Sequence, residues 1–483
     1  MDTKIVQSTK WSGLTELLSK LIVPFVNLFL ARILAPEVFG VVATFTLITS
    51  FVEIFTDAGF QKYLVQHEFK SEQDRIDSTN VAFWTNFSFS CIIWMLIVIF
   101  RYPIASLVGS SGYEIEIVVM SLNIPMVALS SIQTALYRRD FRFKQLLPVR
   151  MITCAVPVVV TLPLAYILRN CWAIIIGALA KEIVFVVLLT LHSNWKPALY
   201  YDFKKLKEML SFSMLMMADS FMIWFTSYAG TFVVSQFLNQ YYVGIYKTGV
   251  TTITSYMNLI YTITAPVLFA GLSRVQHDEQ KSKDIYYSFQ KYCALLSIPL
   301  GVGAFVFRHF LTMLLLGSQW KEAELLIGGV ALGLGFTIIT AQYNSDFFRS
   351  RGKPHYALLA QTIYGVVMLL ALMLAVRYSF TMLCVMRIAL IFLYSVISTC
   401  IAQHVLKISW LQVLQNVAQP TIAALIMAVV GVLLRNMNAS ILWTLISIAV
   451  CVVTYFAVLY MMPPSRKMLK GMWKQRRQLL KRG

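Results

Sequence analysis

Charged residues are scarce in this 483-residue chain, at 13%, and acidic ones scarcer still: 22 Asp and Glu against 41 Lys and Arg. Soluble domains carry about a quarter charged residues, so an ordinary solvated surface is excluded over most of the chain. Long polar intervals are also missing. No interval between apolar stretches exceeds about 20 residues, which leaves a soluble catalytic domain no room. The seven cysteines, Cys91, Cys154, Cys171, Cys293, Cys384, Cys400 and Cys451, form no C-x-x-C, and the six histidines form no H-E-x-x-H. The sequence forms of zinc and thiol redox sites are therefore absent. A glycine-rich phosphate loop and a nucleophile elbow are missing too. An enzyme is not expected, and neither a cofactor nor a metal is expected. Residues 1–10 are polar and the first apolar stretch has no small-residue cleavage pattern, so no cleavable signal peptide is expected.

What is abundant is apolar sequence, 58% of the chain. Fourteen apolar stretches run over 10–31, 39–60, 80–100, 115–135, 147–167, 172–191, 209–237, 244–270, 287–307, 322–346, 355–376, 379–404, 416–434 and 440–461. About 20 helical residues cross about 30 Å of hydrocarbon. The pattern predicts an all-α polytopic membrane protein with 14 transmembrane helices. If the N-terminus is cytoplasmic, 30 of the 41 basic residues fall in cytoplasmic segments and 7 in outer loops. Basic residues resist translocation, so both termini are expected in the cytoplasm. The net charge of +19 resides mostly in those loops and in the tail Arg466, Lys467, Lys470, Lys474, Arg476, Arg477, Lys481 and Arg482. The tail fits a topology anchor on anionic lipid, and nucleic acid is not an expected partner.

The segment 193–208, with Ser193-Asn194-Trp195-Lys196-Pro197 and Lys204-Lys205-Leu206-Lys207, reads as a cytoplasmic linker. It separates a six-helix bundle over 1–192 from another over 209–404. Helices 13 and 14 follow over 405–462, then a basic cytoplasmic tail over 463–483. The halves repeat weakly. Gly40 matches Gly244, Val65-Gln66 matches Val275-Gln276, and Glu114 and Glu116 match Glu322 and Glu324. Arg138, Arg139, Arg142 and Lys144 correspond to Arg349, Arg351 and Lys353. An even number of crossings gives both halves one orientation, related by an axis along the membrane normal. Such repeats typify alternating-access transporters, whose sites lie near the midplane.

Polar side chains inside hydrocarbon are costly and face partners or water. Ser12, Glu16, Lys20 and Asn27 share one face of the first stretch. Thr46, Thr49, Glu53 and Asp57 mark the second. Asp219, Thr226, Ser227 and Thr231 mark the seventh, and Lys247, Thr251, Thr254, Ser255, Asn258 and Thr262 the eighth. Lys181 with Glu182, and Arg387, lie deep in two further stretches. Buried cations suit an anion such as a pyrophosphate, and the hydroxyls and amides suit a sugar. Lys20, Asn27, Lys247, Thr251, Ser255, Asn258 and Arg387 are the expected substrate-binding residues. Glu53, Asp57 and Asp219 are the expected ion-coupling acids, for a proton or a sodium ion. Blander readings stay open: a self-neutralising Glu16–Lys20 pair, a solvated Glu53 and Asp57, a snorkelling Lys247, and structural ion pairs at Lys181 and Arg387. The uncharged stretches at 416–434 and 440–462 fit a groove for a polyprenyl tail, or two plain anchors.

Several motifs carry a family resemblance. They are Thr9-Lys10-Trp11-Ser12-Gly13-Leu14, Phe29-Leu30-Ala31-Arg32-Ile33-Leu34-Ala35-Pro36-Glu37-Val38-Phe39-Gly40, and Asp57-Ala58-Gly59-Phe60 before Val65-Gln66. Arg138-Arg139-Asp140-Phe141-Arg142-Phe143-Lys144 and Leu316-Gly317-Ser318-Gln319-Trp320 complete them. In this order the chain resembles the polysaccharide transporters of the multidrug/oligosaccharidyl-lipid/polysaccharide flippase superfamily, the Wzx-type lipopolysaccharide, capsule and O-antigen flippases. The resemblance covers about 8–460. It implies two six-helix bundles around a V-shaped central cavity in the bacterial inner membrane. It also implies that undecaprenyl-pyrophosphate-linked oligosaccharide moves from the cytoplasmic to the outer leaflet for O-antigen, capsule or exopolysaccharide export. Membrane lipid and polysaccharide polymerase or export proteins are the implied partners. Related peptidoglycan-precursor flippases hold pyrophosphate with arginines; here the corresponding places offer Lys20, Arg32 and Lys247, so a looser point-charge contact is implied. An ion-coupled multidrug exporter of the same superfamily is the alternative. A membrane-embedded glycan polymerase or ligase fits less well, because the outer loops are short.

Overall fold

The computed structural model describes residues 25–56, 59–438 and 440–463. Among these residues every regular element is helical. Apolar runs in a bilayer must satisfy their backbone N–H and C=O groups internally, and a helix does so within one segment. Contacts divide the chain into two compact units, Met1–Lys247 and Thr248–Gly483. The division falls inside a long helix, not in 193–208. That segment is tied to the first unit: Trp84 Nε1 donates to the Ala198 carbonyl at 2.8 Å, and the Ala198 N–H donates to Asn80 Oδ1 at 3.0 Å.

The first unit begins with α1 (25–33), then α2 (Pro36–Thr56), α3 (Phe60–Gln66), α4 (Glu72–Ile99), α5 (Arg101–Leu107), α6 (Glu114–Ser121) and α7 (Asn123–Arg139). Next come α8 (Phe143–Val156), α9 (Leu162–Leu168), α10 (Trp172–His192), α11 (Phe203–Phe237) and the start of α12 (Gln240–Arg274). Local side chains set the helix starts. Ser71 Oγ accepts from the Asp74 N–H at 3.1 Å ahead of α4, and Asp202 accepts from the Lys204 N–H at 2.8 Å ahead of α11. A π turn, Pro157–Thr161, interrupts the rod formed by α8 and α9. Pro157 has no N–H to give, and the wider turn absorbs the missing bond. α10 packs on α7 and α8, α7 on α4, and α11 on α2 and α3. Phe45, Ile97, Ile117, Ile124 and Ile175 close one apolar cluster between them.

The second unit takes the rest of α12 and continues with α13 (Glu279–Val306), α14 (Arg308–Leu315), α15 (Glu324–Thr337), α16 (Tyr343–Ser350) and α17 (Pro354–Ala375). It ends with α18 (Phe380–Leu406), α19 (Trp410–Arg435) and α20 (Ile441–Met461). A second π turn, Ile338–Gln342, joins α15 to α16. α13 packs on α15 and α19, α19 on α20, and α17 on α18.

Twelve of these rods are long and apolar enough to cross a membrane. Each coincides with one expected crossing. The two remaining expectations are 10–31, which lies mostly outside the described residues, and 209–237, which falls on the 35-residue α11. Large apolar side chains such as Val159, Ile167, Leu374 and Val453 point outward, as hydrocarbon favours. All seven cysteines are free; Cys171, Cys293, Cys384 and Cys451 are buried, whereas Cys400 is exposed.

Candidate functional site

α1, α8 and α10 line an open cavity of about 430 Å³ in the first unit. Asn27 reaches it from α1, Arg150 and Thr153 from α8, and Lys181 and Glu182 from α10. Ser130 Oγ of α7 donates to Glu182 Oε1 at 2.9 Å. Glu182 is the tenth residue beyond Trp172, so it lies about 15 Å along α10, near mid-membrane. The site therefore gathers two cations, one carboxylate, an amide and a hydroxyl within membrane helices. Asn27 was an expected site residue. Arg150 was not; its charge was assigned to the loop after the fourth crossing. Yet α8 already begins at Phe143, two turns earlier.

A second cavity, about 450 Å³, lies among Ser50 and Glu53 of α2, Gln61 and Lys62 of α3, Arg138 of α7 and Ser220 of α11. Arg138 Nη1 donates to Gln61 Oε1 at 3.2 Å, and Trp224 Nε1 of α11 donates to Ser50 Oγ at 3.1 Å. The expected acid Glu53 thus sits among cations. Asp219, half-buried, is the neighbour of Ser220. Asp57 and Lys20 lie outside the described residues, as does the basic tail.

Lys247 is half-buried near the start of α12, with Nζ 3.6 Å from the centre of the Tyr228 ring on α11. An ammonium over a ring face is held by the ring quadrupole. Arg32 is exposed in the last turn of α1.

In the second unit the α12 stripe is partly engaged. Thr251 is exposed, and its carbonyl accepts from Ser255 Oγ at 2.8 Å. Asn258 Oδ1 accepts from Gln342 Nε2 of the π turn at 3.4 Å. One turn on, the Tyr261 hydroxyl lies 3.1 and 3.0 Å from the two carboxylate oxygens of the buried Asp346. Asp346 marks the last residue of an expected crossing and was not among the expected acids. Arg387 on α18 donates to the Tyr364 hydroxyl of α17 and lies 2.7 Å from Met368 Sδ.

An apolar cavity of about 470 Å³ also lies in the second unit. Met257 of α12, Leu296 of α13, Met427 of α19, and Val452 and Tyr455 of α20 line it. Helices 13 and 14 of the sequence count, α19 and α20, thus contribute to a groove.

Residues 29–325 match the model of the polysaccharide biosynthesis protein family. The chain is 22% identical over 324 residues to an uncharacterized membrane protein in the cps region of Klebsiella pneumoniae, covering 66% of this chain and 65% of that protein. It is 25% identical over 309 residues to the succinoglycan biosynthesis transport protein ExoT of Rhizobium meliloti, covering 63% and 61%. The lipopolysaccharide biosynthesis protein WzxC of Escherichia coli is 18% identical over 321 residues, covering 66% and 64%. The match therefore spans slightly less than two thirds of each relative's length. The lipid II flippase MurJ, in an inward closed conformation, superposes with a TM-score of 0.76 at 15% identity, covering 95% of this chain and all of that one. An inward-facing multidrug resistance MATE family transporter of the MOP superfamily superposes at 0.67 and 12% identity, covering 80% and 94%. At these identities the likeness is one of fold. With well over half its length matched and twelve helices among the described residues long and apolar enough to cross a membrane, this chain belongs to the polysaccharide biosynthesis protein family.

Proposed function

We propose that this protein is a flippase for undecaprenyl-pyrophosphate-linked oligosaccharide. It moves the headgroup from the cytoplasmic to the outer leaflet of a bacterial inner membrane by alternating access, for O-antigen, capsule or exopolysaccharide export. The observation that carries this reading is the cavity lined by Asn27, Arg150, Lys181 and Glu182 between membrane helices of a polysaccharide-family chain. Hydrocarbon forbids passage of a charged headgroup, and a polar lumen replaces the lost hydration. The apolar groove of α12, α13, α19 and α20 suits the polyprenyl chain.

In this reading Lys20, Asn27, Arg32, Lys247, Thr251, Ser255, Asn258 and Arg387 contact pyrophosphate or sugar. Glu53, Asp57 or Asp219 carries the charge of a coupling proton or sodium ion. The full chain crosses 14 times, with six-helix halves at 1–192 and 209–404 and both termini cytoplasmic. Membrane lipid and a polysaccharide polymerase or export protein are its partners.

The test is expression in a strain lacking its own flippase for one lipid-linked glycan. Restored surface polymer with cleared cytoplasmic intermediate supports the reading. Persistent intermediate, across a panel of glycans and with good membrane expression, contradicts it. The likeness to a MATE transporter fold favours one rival, an ion-coupled multidrug exporter. That rival predicts drug resistance without polymer.

A further inference from the structure

Two carboxylates in the membrane helices are buried among the described residues, Glu182 on α10 and Asp346 on α16. A carboxylate in hydrocarbon is costly unless something compensates it. Asp346 has the Tyr261 hydroxyl against both oxygens, and it lines none of the cavities above. Glu182 differs in two ways. Its one hydrogen bond comes from Ser130, with no ion pair within 4.0 Å among the described residues. It also opens on a 430 Å³ cavity with room for water and a phosphate-sized anion.

The groups around Glu182 decide what it binds. α8 brings Arg150 and Cys154, α10 itself brings Lys181, α1 brings Asn27, and the π turn brings Thr161. α7 brings the Ser130 hydroxyl. Glu116 of α6 lies toward Cys171, just before the start of α10 and about 15 Å along the helix from Glu182, and Arg169 caps α9 on that side too. An alkali ion needs several oxygen ligands at once, whereas a proton needs only the carboxylate.

We propose that Glu182 is the proton-binding group of an anion site formed with Arg150 and Lys181. When Glu182 takes a proton, the cavity gains one positive charge relative to its ionised state, whatever else lines it. A phosphate-bearing anion then binds more tightly, and by linkage the bound anion favours protonated Glu182. The inference rests on the flippase reading only in taking that anion to be the pyrophosphate of a lipid-linked headgroup. It assigns coupling to a residue outside Glu53, Asp57 and Asp219.

The experiment uses full-length protein in nanodiscs of neutral lipid and inorganic pyrophosphate as the probe. Affinity is measured from about pH 5.5 to about pH 8 for wild type and Glu182→Gln. Pyrophosphate titrates on its own in this range, and the difference between the two proteins removes that contribution. Wild type is expected to lose affinity as pH rises, by up to about tenfold per unit more than Glu182→Gln, the limit for one linked proton. Equal slopes overturn the inference, as does failure of both proteins to bind. If Glu182→Gln aggregates, Ser130→Ala decides. It keeps the carboxylate without its hydrogen bond, so a displaced midpoint is expected and an unchanged one overturns the inference. Wild type that fails to restore polymer in cells sinks the flippase reading. Wild type that restores polymer while the slopes coincide sinks the Glu182 inference alone.

Discussion

Gly40 and Gly244 meet backbone to backbone where α2 crosses the start of α12. A Cβ on Gly40 would stand 1.9 Å from the Gln240 carbonyl oxygen, and one on Gly244 would stand 1.8 Å from that of Pro36. The contact is reciprocal: each glycine faces the carbonyl four residues before the other. The same two glycines correspond in the repeat expected from the sequence, and they meet at a close approach that only glycine permits. Alanine at either position must push backbone aside, at about 1–3 kcal/mol. Gly40→Ala and Gly244→Ala are each expected to lower the melting temperature in detergent and to slow transport. Gly303→Ala is the control. Its Cβ would meet nothing nearer than Met427 Cε at 3.9 Å, and it should melt at or above the wild-type temperature. Equal melting of all three variants would contradict the crossing.

Lys247 Nζ lies 3.6 Å from the centre of the Tyr228 ring, over its face. A partly desolvated cation–π contact is worth about 2 kcal/mol. Tyr228→Phe is expected to keep most of the transport rate, and Tyr228→Ala and Lys247→Ala each to lose about tenfold. Glycan export rates at matched membrane expression check this. Equal losses in the Phe and Ala variants would assign the role to the hydroxyl.

Arg139 Nη1 donates to the carbonyls of Leu64 and His67, at 2.6 and 2.7 Å, and so closes the end of α3. Arg351 donates to the carbonyl of Gln276 and, at 3.5 Å, to that of Asp278, beyond the end of α12. Each unit thus uses an arginine from the corresponding basic loop for the same task. Removing either leaves carbonyls without their charged donor, at about 1–3 kcal/mol. Arg139→Ala and Arg351→Ala are both expected to destabilise, and lysine to rescue only partly, because it lacks the forked donor. Thermal melts of the four variants decide; full rescue by lysine would mean that charge alone suffices.

The crossings were legible because hydropathy alone dictates them, and twelve expected stretches coincide with helices in order. Asn27 and Glu53, which line two of the cavities, stand out in the sequence because a helical face repeats every three to four residues. Arg150 and Asp346 were missed for one reason. An apolar window ends where charge begins, but the helices do not: α8 starts at Phe143, and α16 runs on to Ser350. Arg150 was therefore counted with the loop, and Asp346 stood at the last residue of its expected crossing. Partners were less legible still. Nothing in the spacing says that Arg387 turns toward Tyr364, or that Ser130 meets Glu182. Those contacts depend on which helices become neighbours. The π turns at Pro157–Thr161 and Ile338–Gln342 leave no periodic signal at all.

The most direct measurement of the central claim is made in proteoliposomes. They carry, in both leaflets, the polyprenyl-pyrophosphate-linked oligosaccharide that the protein clears in cells. A membrane-impermeant glycosidase added outside cleaves only headgroups that reach the outer leaflet. The account predicts that cleavage runs to near completion with the wild-type protein and stops at the outer-leaflet share in protein-free liposomes. Cleavage that stops at that same share with correctly inserted protein would contradict a flippase.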